Sequence, residues 1–182
     1  MSTERWQIDS SHSGIHFTVR HLVIAKVRGQ FGRWTGALEA PGGDLSRASL
    51  DVVIDASSID TGVADRDAHL RSADFLDVEH HPEITFKSKA VTQAAADRLK
   101  VAGALTIKGV TRDVALDVEV LGQVRDPWGN ERAAFSATAA VDRGEFGLTW
   151  NRALETGGVM VGDRIDIGIE IEAVRQASTQ VA

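Results

Sequence analysis

The stretch Asp163 to Val174, DRIDIGIEIEAV, sets Ile165, Ile167, Ile169 and Ile171 on one side and Asp166, Gly168, Glu170 and Glu172 on the other. A strict period of two is the signature of a β-strand with one dry and one wet face, whereas a helix would scatter the four isoleucines around its circumference. The same alternation returns in Leu50, Val52 and Ile54, in Ile84 and Phe86, and in Leu99, Val101, Leu105 and Ile107. It returns again in Val114, Leu116, Val118 and Val120, and in Phe135, Ala137, Ala139 and Val141. With Ile15, Phe17 and Val19, and a segment through Phe31 and Leu38, the pattern predicts about eight strands and an all-β domain.

The punctuation between these strands is short: PGGD at Pro41 to Asp44, IKGVTR around Gly109, DPWGN at Asp126 to Asn130. Such turns supply positive or preset φ and join neighbours as antiparallel hairpins, so a meander is expected. The exception runs from about Ser57 to Glu83, where alternation stops. A helical insertion is predicted around residues 60–77, with Asp60 or Thr61 as N-cap, a helix to about Arg71, an Asp67 to Arg71 pair, Val63 and Leu70 on one side, and an apolar turn at Phe75 and Leu76. Residues 1–175 form one domain in this reading, and 176–182 a flexible tail. Periodicity alone leaves barrel and sandwich both open. Gly103, Ala137 and Ala139 on inward faces either leave room for a ligand or fit the taper of a barrel.

Of the 182 residues 43% are hydrophobic and 25% charged, the profile of a folded domain with a sizeable core. No apolar run reaches the roughly eighteen residues of a membrane span, and MSTERWQIDS lacks the features of an export signal, so a cytoplasmic location without stable membrane insertion is expected. Acidic residues outnumber basic ones 26 to 20, for a formal charge of −6, so nucleic acid is not expected as a partner and broad electrostatic attraction to anionic lipid surfaces is not expected either, a local basic patch aside. The absence of cysteine rules out disulfides and thiolate metal sites.

Asp9 to His21, DSSHSGIHFTVRH, is the most chemically suggestive segment. On a continuous strand His12 and His16 stand roughly 13 Å apart, too far for one metal ion, and His21 has the opposite parity. Asp9, Ser11 and Ser13 likewise face away from His12, so no nucleophile and base line up, and no metal or catalytic set is predicted. The Gly-rich pieces GALTIKG and ETGGVMVGD lack nucleotide-binding spacing, and no cofactor is predicted. Arg20, Lys26, Arg28 and Arg33 form one small basic cluster able to meet an anionic head group if their side chains converge.

Five segments, WQIDSSHSGIHFTVRHL, ASSIDTGVADRDAHLRSADFLDVEHHPEITFKS, GALTIKGVTRDVALDV, AVDRGEFGLTWN and VGDRIDIGIEIEA, together resemble the YceI-like family of lipid-binding, also called polyisoprenoid-binding, proteins. The resemblance covers about Trp6 to Ala173. It implies an extended, lipocalin-like barrel of eight antiparallel strands whose apolar channel takes a long amphiphile such as a polyisoprenoid or isoprenoid quinone. Homodimers also occur in the family. The channel lining expected here is Phe17, Val19, Phe31, Leu38, Val52, Ile54, Leu70, Phe75, Phe86, Leu105, Phe135, Ala137, Ala139, Leu148, Trp150, Ile167 and Ile169. Two departures are Gly144, where the family usually has a small hydroxyl residue, and His81, where an aromatic is common.

The reading that follows is a binding or carrier protein rather than an enzyme. The alternatives are a small-molecule enzyme using Asp67, His69 and Arg71 of the insertion, or a stress-associated interaction protein.

Overall fold

A computed structural model describes residues 3–177, so most of the expected tail lies outside the described residues. In chain order the elements are β1 (Thr3–Ile8), β2 (Gly14–His21), β3 (Ala25–Phe31), β4 (Trp34–Pro41), β5 (Ser49–Asp55), β6 (Ile59–Asp60), α1 (Ala64–Arg71), β7 (Glu83–Ala95), β8 (Arg98–Ile107), β9 (Val110–Arg125), β10 (Glu131–Asp142) and β11 (Val161–Arg175). Every pairing is antiparallel, and from β7 to β11 each strand pairs with the next. The sheet closes on itself where β1 meets β11, Trp6 opposite Arg175 and Ile8 opposite Ala173. The choice between sandwich and barrel is thereby decided for a closed barrel.

Eight strand positions make the ring, because three of them are interrupted strands. β1 and β2 both run along β11; β3 pairs with β2 while β4 pairs with β1; β6 pairs with β3 while β5 pairs with β4. The three breaks lie side by side, at residues 9–13, 32–33 and 56–58. They divide the barrel into a lower part, with the turns 42–48 and 126–130, and an upper part carrying α1, the β2–β3 hairpin and the segment from Arg143 to Met160.

The first break corrects the expectation of one strand across Asp9 to His21. Asp9 accepts hydrogen bonds from the Ser11 amide, 3.1 Å, and hydroxyl, 2.5 Å, which winds Ser10–His12 into a 3₁₀ turn. Strand parity therefore fails here, and His12 swings back to put Nδ1 2.9 Å from Asp9 Oδ2. The same Asp-x-Ser device recurs at Asp44 with Ser46 and at Asp55 with Ser57, each aspartate accepting both the amide and the hydroxyl. A short polar side chain that captures the backbone two residues on competes directly with the ladder.

α1 also differs from expectation. It starts at Ala64, and its N-cap is Val63, without a side-chain cap bond. Asp60 instead accepts from the Gly62 amide, and Asp67 accepts from the Thr61 amide, 2.9 Å, and hydroxyl, 2.5 Å. Arg71 turns away from Asp67 to donate to the carbonyls of Ser57, 2.8 Å, and Ile59, 3.0 Å, which straps the helix to the barrel. Val63 is exposed, whereas Leu70 is half-buried and Phe75 and Leu76 are buried.

Inward apolar residues from every strand form the core. Gly103 leaves no room for a ligand: a methyl there would meet the ring of Phe86, and one at Gly29 would meet the ring of Phe17. These glycines seat aromatic rings against the backbone.

Candidate ligand channel

The barrel interior contains a cavity of about 290 Å³. It reaches from Leu38, Leu45 and Leu99 in the lower part to Phe31, Leu70, Phe75 and Phe146 in the upper part, and His16, Ser49 and Arg143 are the polar residues in its wall. An apolar cavity of roughly 150 Å³ already stays dry and accepts a small aromatic molecule.

Period-two reading placed Phe17, Val19, Phe31, Leu38, Val52, Ile54, Phe86, Leu105, Phe135, Ala137, Ile167 and Ile169 inward, and all twelve stand on this wall, as do Leu70, Phe75 and Leu148. Ala139 and Trp150 do not. Ala139 points inward, but its single methyl stops short of the wall, which its cross-strand neighbour Ile167 supplies. Trp150 lies beyond the end of β10, where alternation no longer applies. Its ring packs edge-on against His69, centroids 4.7 Å apart, and tilted against Phe75 at 5.3 Å, covering Phe75 from outside.

Arg143 is the residue sequence reasoning missed. It is 4% exposed, and its guanidinium donates to four carbonyls: Gly162 from Nε, 2.9 Å, Leu148 and Trp150 from Nη1, 2.6 and 2.9 Å, and Val161 from Nη2, 3.3 Å. Burial pushes its pKa down, while the charges of Asp163 and Asp142 pull it up. It ties the irregular return segment between β10 and β11 to the barrel mouth, and Asp163 Oδ1 stands 3.5 Å from Nη2. One sequence signal was available: Asp142-Arg143-Gly144 repeats the Asp-x-Ser turn with glycine in place of serine, and Asp142 accepts the Gly144 amide at 2.8 Å. That signal marks a turn but not the burial of its middle residue, since Ser10 and Leu45 at the same place are not buried.

The remaining polar candidates separate. Asp67 serves Thr61, Arg71 serves two carbonyls, and His69 Nε2 sits 2.8 Å from Asp74 Oδ2, so the three do not converge. The donor atoms of Asp9, His12 and Glu172 lie within 4.8 Å of one another, and the Arg132 guanidinium pairs with both carboxylates, 3.1 Å from Asp9 Oδ2 and 2.6 Å from Glu172 Oε1. The Ser11 hydroxyl, the His12 ring and Arg132 hold the Asp9 carboxyl well below the usual carboxylate range against the opposing effect of burial. Of the basic cluster, Arg33 is removed by its pairing with Asp55 and Ser57. Arg20, Lys26 and Arg28 stay together on one face of the β2–β3 hairpin. Neither departure named above touches the cavity: Gly144 lies at the Asp142 turn, and the His81 ring packs against Gly109.

A family model described as the YceI-like domain matches residues 6–173. The chain belongs to the YceI-like family. A UPF0312 protein of Staphylococcus aureus, strain bovine RF122, is 38% identical over 166 residues, which span 91% of this chain and 93% of that protein. The crystal structure of the Campylobacter jejuni YCEI protein superposes with a TM-score of 0.75 at 29% identity, over 87% of this chain and 90% of that one. Two more distant structures share the fold of this YceI-like chain. BcnA of Burkholderia cenocepacia has a TM-score of 0.79 at 21% identity, covering 91% and 98% of the two chains. A polyisoprenoid binding domain from Saccharophagus degradans has a TM-score of 0.69 at 15% identity, covering 94% and 98%.

Proposed function

We propose that this YceI-like protein carries a long-chain isoprenoid lipid or isoprenoid quinone inside its barrel. The observation that supports this reading most is the wall itself, apolar along its length apart from His16, Ser49 and Arg143. Arg143 spends its donors on carbonyls, so the channel offers shape and apolar contact rather than a reacting group. The description of the Saccharophagus degradans domain as polyisoprenoid binding points the same way. Each buried methylene contributes about 0.8 kcal/mol, so an isoprene unit contributes roughly 3 kcal/mol before ordering costs, and a few units suffice for tight binding.

The direct test is organic extraction of the purified protein followed by mass spectrometry, with a stoichiometric long-chain isoprenoid or quinone as the expected result. A stoichiometric water-soluble metabolite and no long-chain species would overturn the reading. A paired substitution tests the place of binding. Ala137 is buried on the cavity wall between Val118 and Ile169, and its neighbour Thr138 faces out. Ala137→Phe should abolish most capacity for a fluorescent long-chain fatty acid while destabilising by less than the ~1–3 kcal/mol typical of overpacking a filled core. Thr138→Phe should leave capacity intact. Equal binding by both variants would move the ligand out of the barrel.

A further inference from the structure

The β2–β3 hairpin ends in three consecutive apolar residues, Leu22, Val23 and Ile24, which are 38%, 59% and 88% exposed. Leu22 and Val23 both take positive φ, 52° and 67°. That conformation costs a bulky or β-branched residue energy that Asn-Gly at the same place would avoid, so the turn is poorly chosen for stability alone. The neighbouring return loop widens the apolar tip. The Leu22 amide donates to the Met160 carbonyl, 2.8 Å, Val23 lies against Gly158, and Val159 between them is 41% exposed.

Behind the tip stand Arg20, Lys26 and Arg28. Arg20 is directly opposite Lys26 across the two strands, and Arg28 follows on the same face. Like charges in direct opposition destabilise a strand pair. Yet none of the three has a carboxylate within ion-pairing distance among the described residues, in a protein whose formal charge is −6. Beside them Asp166 is paired with Arg164, and Asp163 is drawn to Arg143. The hairpin thus combines an exposed apolar tip with a collar of unmatched cations, while Val19 and Val161 at its root belong to the channel wall.

We propose that this hairpin docks the barrel reversibly on an anionic bilayer surface, Leu22, Val23 and Ile24 entering the acyl boundary and Arg20, Lys26 and Arg28 meeting lipid phosphates. An anionic surface supplies the counter-charge the hairpin lacks, and the acyl boundary takes the apolar tip out of water. The docking does not depend on what fills the channel; that it serves exchange of the channel's cargo rests on the carrier reading, which lipid extraction tests separately.

The experiment is co-sedimentation of the full chain with phosphatidylcholine vesicles, with and without phosphatidylglycerol. The wild type should bind the anionic vesicles preferentially and release them as salt shortens the screening length from ~10 Å at 0.1 M to ~3 Å at 1 M. Arg20→Gln and Lys26→Gln should each weaken partitioning about fivefold, the effect of one basic side chain near such a surface. Ile24→Asp should weaken it about tenfold or more. Trp128→Ala, at the exposed tip of the β9–β10 hairpin in the lower part, should leave it unchanged. Thermal melting confirms that each variant is folded, since all the sites are on the surface. The proposal is overturned if the wild type ignores phosphatidylglycerol, if the hairpin variants bind like wild type, or if Trp128→Ala is the one that loses binding. It is equally overturned if Ile24→Asp converts a dimer to a monomer without any vesicle association, which would make the tip an interface between copies.

Discussion

The two parts of the barrel are closed by arginines used in opposite ways. In the lower part Arg132 meets carboxylates, Asp9, Asp126 and Glu172, and Arg175 meets Glu4 and Glu131. In the upper part Arg143 meets backbone carbonyls, and the hairpin cations meet no carboxylate among the described residues. Matched charges make the lower part electrostatically self-contained. The upper part is held by a charge whose hydrogen-bond acceptors cannot titrate, its one carboxylate contact, to the exposed Asp163, being longer at 3.5 Å, which leaves its outer face free to carry a positive, apolar surface.

The largest expected effect comes from Arg143→Met. It removes hydrogen bonds to four carbonyls, and because charge-assisted bonds contribute ~1.5–3 kcal/mol each without adding fully, a loss of about 3 kcal/mol is expected in urea unfolding. A loss below ~1 kcal/mol would mean that the return segment is held by Phe146 and Leu148 alone.

The next effect is one of pH. Arg132, aided by Asn130, lowers the Asp126 carboxyl from 3.8 to about 2 against the effect of burial. A depressed folded value stabilises the native state fully above the ordinary value, and the stabilisation is lost as pH falls through the folded value. Wild-type Tm should therefore drop steeply between pH 4 and pH 2. Arg132→Met should lower Tm at neutral pH and flatten that drop, whereas Arg143→Met should lower Tm by a similar amount on both sides of the window. Parallel curves for all three proteins would erase the distinction between the two parts.

The smallest effect is a gain. Gly144→Ser places a hydroxyl beside Asp142 Oδ1, a methyl at that position standing 3.1 Å away, and copies the bond made by Ser11, Ser46 and Ser57. An increase of about 0.5–1 kcal/mol is expected from thermal unfolding, with no change in ligand capacity, because the turn lies off the cavity wall.

These contrasts mark where the sequence was legible. Ile165 to Ile171 announced a one-sided strand because a single neighbour on each side and one buried face determine every residue in it. Fifteen of the seventeen expected lining residues follow from that rule or from the apolar residues of the insertion and return segment. Asp9 to Ser13 misled because polar residues at a turn and polar residues on a wet strand face look alike singly. Only the repetition of Asp-x-Ser at three positions separates them. Arg143 was invisible because its acceptors come from Leu148, Trp150, Val161 and Gly162, in a stretch with no period to place them. Asp67 and Arg71 have the spacing of a helical ion pair, but Thr61 and the carbonyls of Ser57 and Ile59 compete for them through space.

The seam between β1 and β11 joins the first strand of the fold to the last. A chain emerging from the ribosome therefore holds a half-built trough, its isoleucine, valine and phenylalanine face open to water, until Val161–Arg175 arrives to complete the wall. Such late, long-range pairing slows folding and exposes the nascent chain to aggregation. The interior is at its most open just before the last strand zips shut.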